Sequence, residues 1–340
     1  MRFNIRNILF IGLVVFISLA FVKKLSNDVY FEVPKGWPEP HYNFKNNPLT
    51  EEGFQLGRRL FYDPILSRDS TISCENCHVQ ASGYTHIDHE LSHGIDGKIG
   101  TRNSMTLMNL AWSKSFMWDG GVNHLDVQPI APITSSVEMD ETMDNVVKKL
   151  QRSEKYRNLF FKAFGTSEIK GQLVLKALSQ FVLKIVSSNS KYDKVMRNEA
   201  TFTQQEQKGY ELYKTNCASC HIEPLFTSEK FENNGLPIDT TLNDIGRMKI
   251  TNKKEDYLRF KVPTLRNAHF SFPFMHDGRF KTLTEVVKHY NSLGNDKNLP
   301  KQLSKPMNLS DNDRVDLVVF LNTLTDMDFL SDKRFKYPVK

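Results

Sequence analysis

Cysteine is scarce in this chain. Four occur in 340 residues, and all four lie in two pentapeptides, "CENCH" at 74–78 and "CASCH" at 217–221. With those set aside no thiol remains for a disulfide framework, so packing must hold the chain together. Blocks of lysine and arginine are also missing. The net charge of +6 is spread along the sequence, which disfavours nucleic acid as a partner. Strand signals are few, which argues against an all-β fold. Long apolar runs are lacking: the run from Ile8 to Val22, broken by Gly12 and Ser18, is shorter than the ~20 residues that span a bilayer comfortably. No cysteine follows that run, which argues against a lipoprotein anchor.

What stands at the N-terminus is an export pattern. Arg2 and Arg6 precede the apolar run and Lys23 and Lys24 close it. Residues 1–24 read as a signal peptide or an N-terminal membrane anchor, and both place the body in the periplasm or cell envelope. Residues 25–48 carry four prolines and read as an extended lead-in. A helix is expected from Leu49–Thr50, with a threonine cap, early glutamates, and Phe54, Leu56, Leu60 and Phe61 on one stripe before Asp63-Pro64. The second half opens in the same manner. Thr203 and Glu206 stand at capping-box spacing, and Gly209, Tyr210, Leu212 and Tyr213 precede the second pentapeptide. A capped helix therefore delivers each C-x-x-C-H, a twofold internal repeat. Further helical periodicity runs through 143–165 and 169–195, and a Ser/Asp-capped helix is expected near the end, in "LSDNDRVDLVVFLNTLT". The expected fold is mostly α: two cytochrome c-like helical domains with long loops, at 49–200 and 201–340.

C-x-x-C-H has a physical reason. Two thiols with two residues between them reach adjacent vinyl edges of a haem, and the histidine that follows lies under the iron. Cys74 and Cys77 with His78, and Cys217 and Cys220 with His221, are read as two covalent haem c sites. The alternative is one zinc ion held by four thiolates. Two haems do not by themselves make an enzyme; an electron carrier would have both irons closed by a sixth ligand.

The sequence resembles the bacterial di-haem cytochrome c peroxidases, including their MauG subgroup, from about residue 36 to 332. The resemblance rests on "GRRLFYDPILSRDSTISCENCH", "GTRNSMTLMN", "FMWDGGVNHLDVQPIAPITSSVEM", "SSNSKYDK", "CASCH", "FKVPTLRNAHFSFPFMHDGRFKTLTEVVKHY" and "VVFLNTLT". It implies a peroxidatic N-terminal haem and an electron-transfer C-terminal haem. It further implies that Glu138, twenty residues past Trp118, is the distal acid–base, that Gln128 and Pro132 lie in the distal pocket, and that Trp118 relays between the haems. Trp112 is read as core. Arg102-Asn103 and Ser271-Phe272-Pro273 match the family's calcium site, with the Asn103 side chain and the Ser271 and Pro273 carbonyls as ligands. His276 is expected on a haem propionate.

The sixth ligand of the second haem departs from the typical pattern. Methionine is usual, but "LTEVVKHY" places Tyr290 there, as in the MauG subgroup; His289 is a neighbouring alternative, and Met275 is read as packing. A phenolate stabilises oxidised iron where a thioether stabilises reduced iron. For the first haem, His86, His89 and His93 are candidates, with His93 nearest in context, and an open or weakly ligated iron is favoured. The implied activity is reduction of hydrogen peroxide by a small exported cytochrome c or cupredoxin. The rival enzyme is a MauG-like oxidase of side chains on a partner protein; the rival outside enzymes is the carrier. Homodimers are common in the family, although no feature of this sequence demands one.

Overall fold

The computed structural model describes residues 31–87, 89–294 and 299–338. The expected leader at 1–24 lies outside them, as does the start of the lead-in. Among the described residues no helix is long and apolar enough to cross a membrane.

Two helix pairs organise the chain. Helix Glu51–Tyr62 is capped by Thr50, whose hydroxyl accepts from Gly53 N, and carries Glu51 and Glu52 in its first turn, favourably placed for the helix dipole. It buries Phe54, Leu56, Leu60 and Phe61 against helix Gly171–Leu183. Helix Gln204–Asn216 repeats the design: Thr203 and Glu206 form the expected reciprocal capping box, and the helix packs against helix Asp311–Asn322, itself boxed by Ser310 and Asp313. Each crossing depends on a glycine. A β-carbon on Gly57 would lie 1.9 Å from the Ala177 carbonyl oxygen, and one on Gly209 would lie 2.0 Å from that of Asp316. Gly209→Ala is therefore expected to destabilise the protein by about 1–3 kcal/mol, the usual cost of overpacking, read as a lowered Tm.

The periodic stretch at 143–165 is two helices rather than one. Helix Met143–Arg152 ends at Ser153, whose hydroxyl accepts from Tyr156 N and so starts helix Glu154–Phe164. The stretch at 169–195 is also interrupted: its first helix stops at Leu183, and Ser190 caps a separate short helix, Lys191–Met196. At the first break Ser153, which bonds local backbone, outcompetes continuation of the helix; at the second the helix has already ended at Leu183, seven residues before Ser190. Among the described residues, strand pairing between named strands is confined to Phe231–Glu232 against Phe260–Lys261, antiparallel.

There are two apolar cores. One gathers helices 51–62 and 171–183 with Leu107, Trp112, Ile133 and Phe160. The other gathers Tyr213, Phe226, Leu283, Val287, Leu317 and Phe320. The end of the chain does not stay with the second core, as an undivided 201–340 unit would require. Phe329, Leu330 and Phe335 join the first core, and Gln80 donates to the Phe329 and Asp332 carbonyls. Their apolar area is buried by crossing back.

The two halves meet through reciprocal backbone bonds. Asn103 N donates to His276 O at 2.7 Å, and Lys261 N donates to Trp118 O at 2.7 Å. Positions 103 and 261 are 158 apart, and so are 118 and 276. The same offset pairs "FMWDG" with "FMHDG" and "TLMN" with "TLRN". Met117 and Met275 both have positive φ, as do Asn109 and Asn267. The repeat thus extends well beyond the capped helices.

Candidate haem sites

Each C-x-x-C-H directly follows or opens a helical turn that fixes its histidine. His78 Nδ1 lies 2.8 Å from the Tyr84 carbonyl oxygen. His221 Nδ1 lies 3.2 Å from the Phe226 carbonyl and 3.1 Å from that of Pro263. A carbonyl only accepts, so Nδ1 carries the proton in both rings and, in the neutral ring, Nε2 keeps its lone pair. Burial holds both rings neutral: it pushes His78 down to about 4 and lowers His221 as well. This is the donor state an iron requires, with the opposite nitrogen oriented by backbone. The thiols are held protonated, with burial pushing Cys74 and Cys217 up to about 12. Among the described residues no three His, Cys, Asp or Glu side chains gather as a metal-ion site.

Beside His221 lies a large cavity lined by Cys217, Cys220, Leu265, Phe274, Leu283, Val286, Val287, Leu317 and Leu321. Its apolar walls suit a flat macrocycle. Helix Leu283–Ser292 supplies one wall, capped by Thr282 and Glu285. Leu283, Val286, Val287 and Tyr290 share the face that lines the cavity. Tyr290 therefore enters the cavity with His221, and burial raises its phenol well above the usual range, ahead of the effect of Cys217 and Cys220. His289 turns elsewhere, with its Nε2 2.9 Å from the Asn234 carbonyl. Met275 also lines the cavity, and its sulfur accepts from Asn234 Nδ2 at 3.5 Å.

Glu138 stands by the first motif. Its carboxylate is close enough to Cys77 to help raise that thiol to about 11, second to burial. Its backbone is clamped: Ile95 N donates to Glu138 O at 2.8 Å, and Met139 N donates to Pro132 O at 3.2 Å. Pro132, inside the short helix Ile130–Thr134, is thus tied to the turn that carries Glu138. Burial alone raises the Glu138 carboxyl, with no charge partner contributing. Gln128 Nε2 points to Met117 Sδ at 3.8 Å. The 158-residue offset that pairs Trp118 with His276 also carries Tyr290 onto Pro132, which has no ligating side chain.

Of the three loop histidines, His86 is committed. Its Nε2 meets the His89 carbonyl at 2.5 Å and its Nδ1 meets Ser104 Oγ at 3.0 Å. His89 and His93 are exposed and stack on each other at 4.4 Å, while the His93 carbonyl accepts from Cys77 Sγ.

Between the halves, Trp118 is buried, and its indole N–H donates to Asn103 O at 2.8 Å. Trp112 packs against Trp37 in the first core, as expected. Asn103 Nδ2 donates to Pro273 O at 2.5 Å, whereas Asn103 Oδ1 is buried without a partner. Ser271 and Pro273 line the large cavity. His276 is buried, stacked on Phe260 at 3.8 Å, and its Nδ1 also lacks a partner.

Two roles here were not read from the sequence, that of Arg102, cited there only beside Asn103, and that of Lys261. Arg102 bridges Asp119 and Asp244, with bonds of 2.6 Å to each. Lys261 is buried, and its ammonium donates to Ser115 O at 2.8 Å. Ser115 and Pro273 are again 158 apart, so Lys261 mirrors the Asn103 amide. The "FM-x-DG" repeat was the signal that would have found Lys261.

A chain with two such histidine sites is a di-haem c-type protein. Residues 51–201 match the family described as di-haem cytochrome c peroxidase, and residues 206–325 match cytochrome c. The chain is 35% identical over 306 residues to the methylamine utilization protein MauG of Methylorubrum extorquens, covering 86% of this chain and 83% of that one. It is 32% identical over 297 residues to the cytochrome c551 peroxidase of Nitrosomonas europaea, covering 86% and 84%. The crystal structure of a MauG-like protein associated with microbial copper homeostasis superposes with a TM-score of 0.83 at 29% identity, covering 91% and 99%. The chain belongs to the di-haem cytochrome c peroxidase and MauG family, and it is a peroxidase-type oxidoreductase with haem c cofactors. The carrier alternative falls.

Proposed function

We propose that the protein reduces hydrogen peroxide to water at the haem held by Cys74, Cys77 and His78, with Glu138 moving the proton. The observation that carries this reading is the Glu138 carboxyl, raised by burial alone and lying beside the first motif. The haem, when bound, supplies the electron chemistry. Glu138 takes the proton from the near oxygen of peroxide and returns it to the far one, a task suited to a carboxyl that burial raises above its ordinary value. Gln128 and Pro132 line the distal side. Pro132 at the position matching Tyr290 supports an open first iron. Tyr290 would join His221 in holding the second haem, and the turned-away His289 supports that choice. Trp118 relays between the haems, supported by its burial and its bond to Asn103. His276 Nδ1, buried and unpartnered, suits a propionate.

One calcium ion sits between the halves, held by the Asn103 side chain and the Ser271 and Pro273 carbonyls. The support is the orphaned Asn103 Oδ1: an amide turned about presents that oxygen, a hard ligand, where the Pro273 carbonyl already points. Chelation is expected to release one calcium per chain and lower turnover, with recovery on calcium addition; in Asn103→Ala the chelator should change nothing.

Electrons come from a small cytochrome c or cupredoxin outside the cytoplasm. The second reading, oxidation of a side chain on a partner protein, is favoured by Tyr290 in the cavity with His221. Stopped-flow mixing of the holoprotein with peroxide separates the two. Rapid discharge by reduced cytochrome c supports the peroxidase. A long-lived oxidised state that small donors discharge poorly supports the partner oxidase. No spectral response to peroxide would overturn both.

A further inference from the structure

The second core contains phenols that the chemistry above does not use. Tyr213 donates its hydroxyl to the carbonyl of His221 itself. Its ring lies parallel to that of Tyr210, 6.1 Å away with 11° between planes. Tyr192 packs edge-on against Phe226 at 4.8 Å, and Phe226 is the residue whose carbonyl accepts from His221 Nδ1. Tyr192 and Tyr210 are 6.3 Å apart. Two aromatic routes therefore start at backbone bonded to the haem-ligand ring and converge. They converge near a carboxylate: Tyr192 donates its hydroxyl to Glu223 Oε1 at 2.9 Å, and the same carboxylate, after burial, helps push the Tyr210 phenol up to about 12. Tyr192 and Tyr213 are buried, whereas Tyr210 is half-exposed, with Lys214 Nζ 4.6 Å over its ring.

Resting on the assignment of a haem to His221, we propose that Tyr192, bonded to the Glu223 carboxylate, and Tyr210 beside it form a proton-coupled redox site that carries an oxidising equivalent from that haem to the protein surface. A phenol loses an electron readily only when its proton leaves with it, and a carboxylate within hydrogen-bond reach is the acceptor. Lys214 reinforces this. A positive charge over the Tyr210 ring opposes a cationic hole, so the neutral phenoxyl is the form that persists. In each event one phenol and the Glu223 carboxylate become one phenoxyl and one carboxylic acid. The released electron reduces the oxidised haem by one equivalent. The oxidant is peroxide, whose conversion to two waters takes two electrons and two protons. A one-electron donor at the half-exposed Tyr210 then restores the phenol, and Glu223 returns the proton.

The first half is not built this way. Aligning Gly57 with Gly209 puts Phe61 opposite Tyr213 and Arg58 opposite Tyr210. Tyr84, whose carbonyl holds His78, has a buried hydroxyl with no acceptor. The site is thus confined to the half whose iron Tyr290 would close.

The test is freeze-quench EPR of the holoprotein after one equivalent of peroxide without donor, with spin-trap mass spectrometry to locate the radical. A tyrosyl signal is expected, trapped at Tyr210 and lost in the Tyr192→Phe, Tyr210→Phe double variant. Glu223→Gln is expected to slow its appearance by about 100-fold, the low end of what a positioned proton acceptor contributes. Unchanged haem spectra and Tm establish that the variants fold. A wild type that consumes peroxide without a tyrosyl signal, or a double variant with an undiminished one, overturns the proposal. Haem spectra that do not respond to peroxide at all overturn the peroxidase reading first, and this site with it.

Discussion

Glu138→Gln is expected to retain both haems and to lose about 10²- to 10⁴-fold in kcat/KM for peroxide, the usual contribution of a positioned acid–base group. Glutamine preserves the shape of the side chain and the backbone clamp from Ile95, so the loss reports the proton and not the fold. The pH profile gives an independent check. Burial raises the Glu138 carboxyl, and the base works deprotonated. Turnover should therefore rise with pH through a value above the ~4.3 of an ordinary glutamate, and that limb should vanish in the variant. Near-normal turnover in Glu138→Gln would remove the residue from its role. Counting attached haems by mass separates this outcome from failed maturation.

Tyr290→Met is expected to raise the potential of the second haem by on the order of a few hundred millivolts, within the ~0.8 V that axial ligands command. The thioether is neutral and favours reduced iron; the phenolate is anionic and favours oxidised iron. Helix 283–292 should tolerate the change, since methionine suits a helix and an apolar wall. The same variant should shift the balance between the two functional readings, with faster discharge by small donors as the potential rises. Redox titration followed by optical spectra measures the first effect, and stopped-flow the second. An unchanged potential would show that Tyr290 does not bind the iron.

The parts of this architecture legible in the sequence are those written in short range. C-x-x-C-H, the Thr203–Glu206 box and the Asp63-Pro64 stop each act within a few residues, and each stands where expected. Within the periodic stretches the breaks are less legible: Ser153 closes one helix and caps the next, but the helix at 171–183 stops seven residues ahead of the Ser190 cap. The site itself was legible only through resemblance. Nothing within a few residues of Glu138 reveals that its carboxyl faces Cys77, 61 positions earlier. The orphaned Asn103 oxygen depends on a carbonyl 170 positions away. The return of Phe329 and Phe335 to the first core was hidden for the same reason, since a tail shows its apolar content but not its destination.

The reciprocal contacts at the seam carry a consequence for engineering. Trp118 and His276 are fastened across the seam through their own carbonyl oxygens, leaving their rings free of that duty. Scaffold and wiring are thus separable at His276. The His276 ring can be exchanged without touching that joint, whereas the Trp118 indole also holds the carbonyl of Asn103, whose own N–H fastens His276. Under the proposed relay, His276→Gln would then report what that ring contributes across a gap of constant width, and Trp118→Phe would report the indole together with its bond to Asn103.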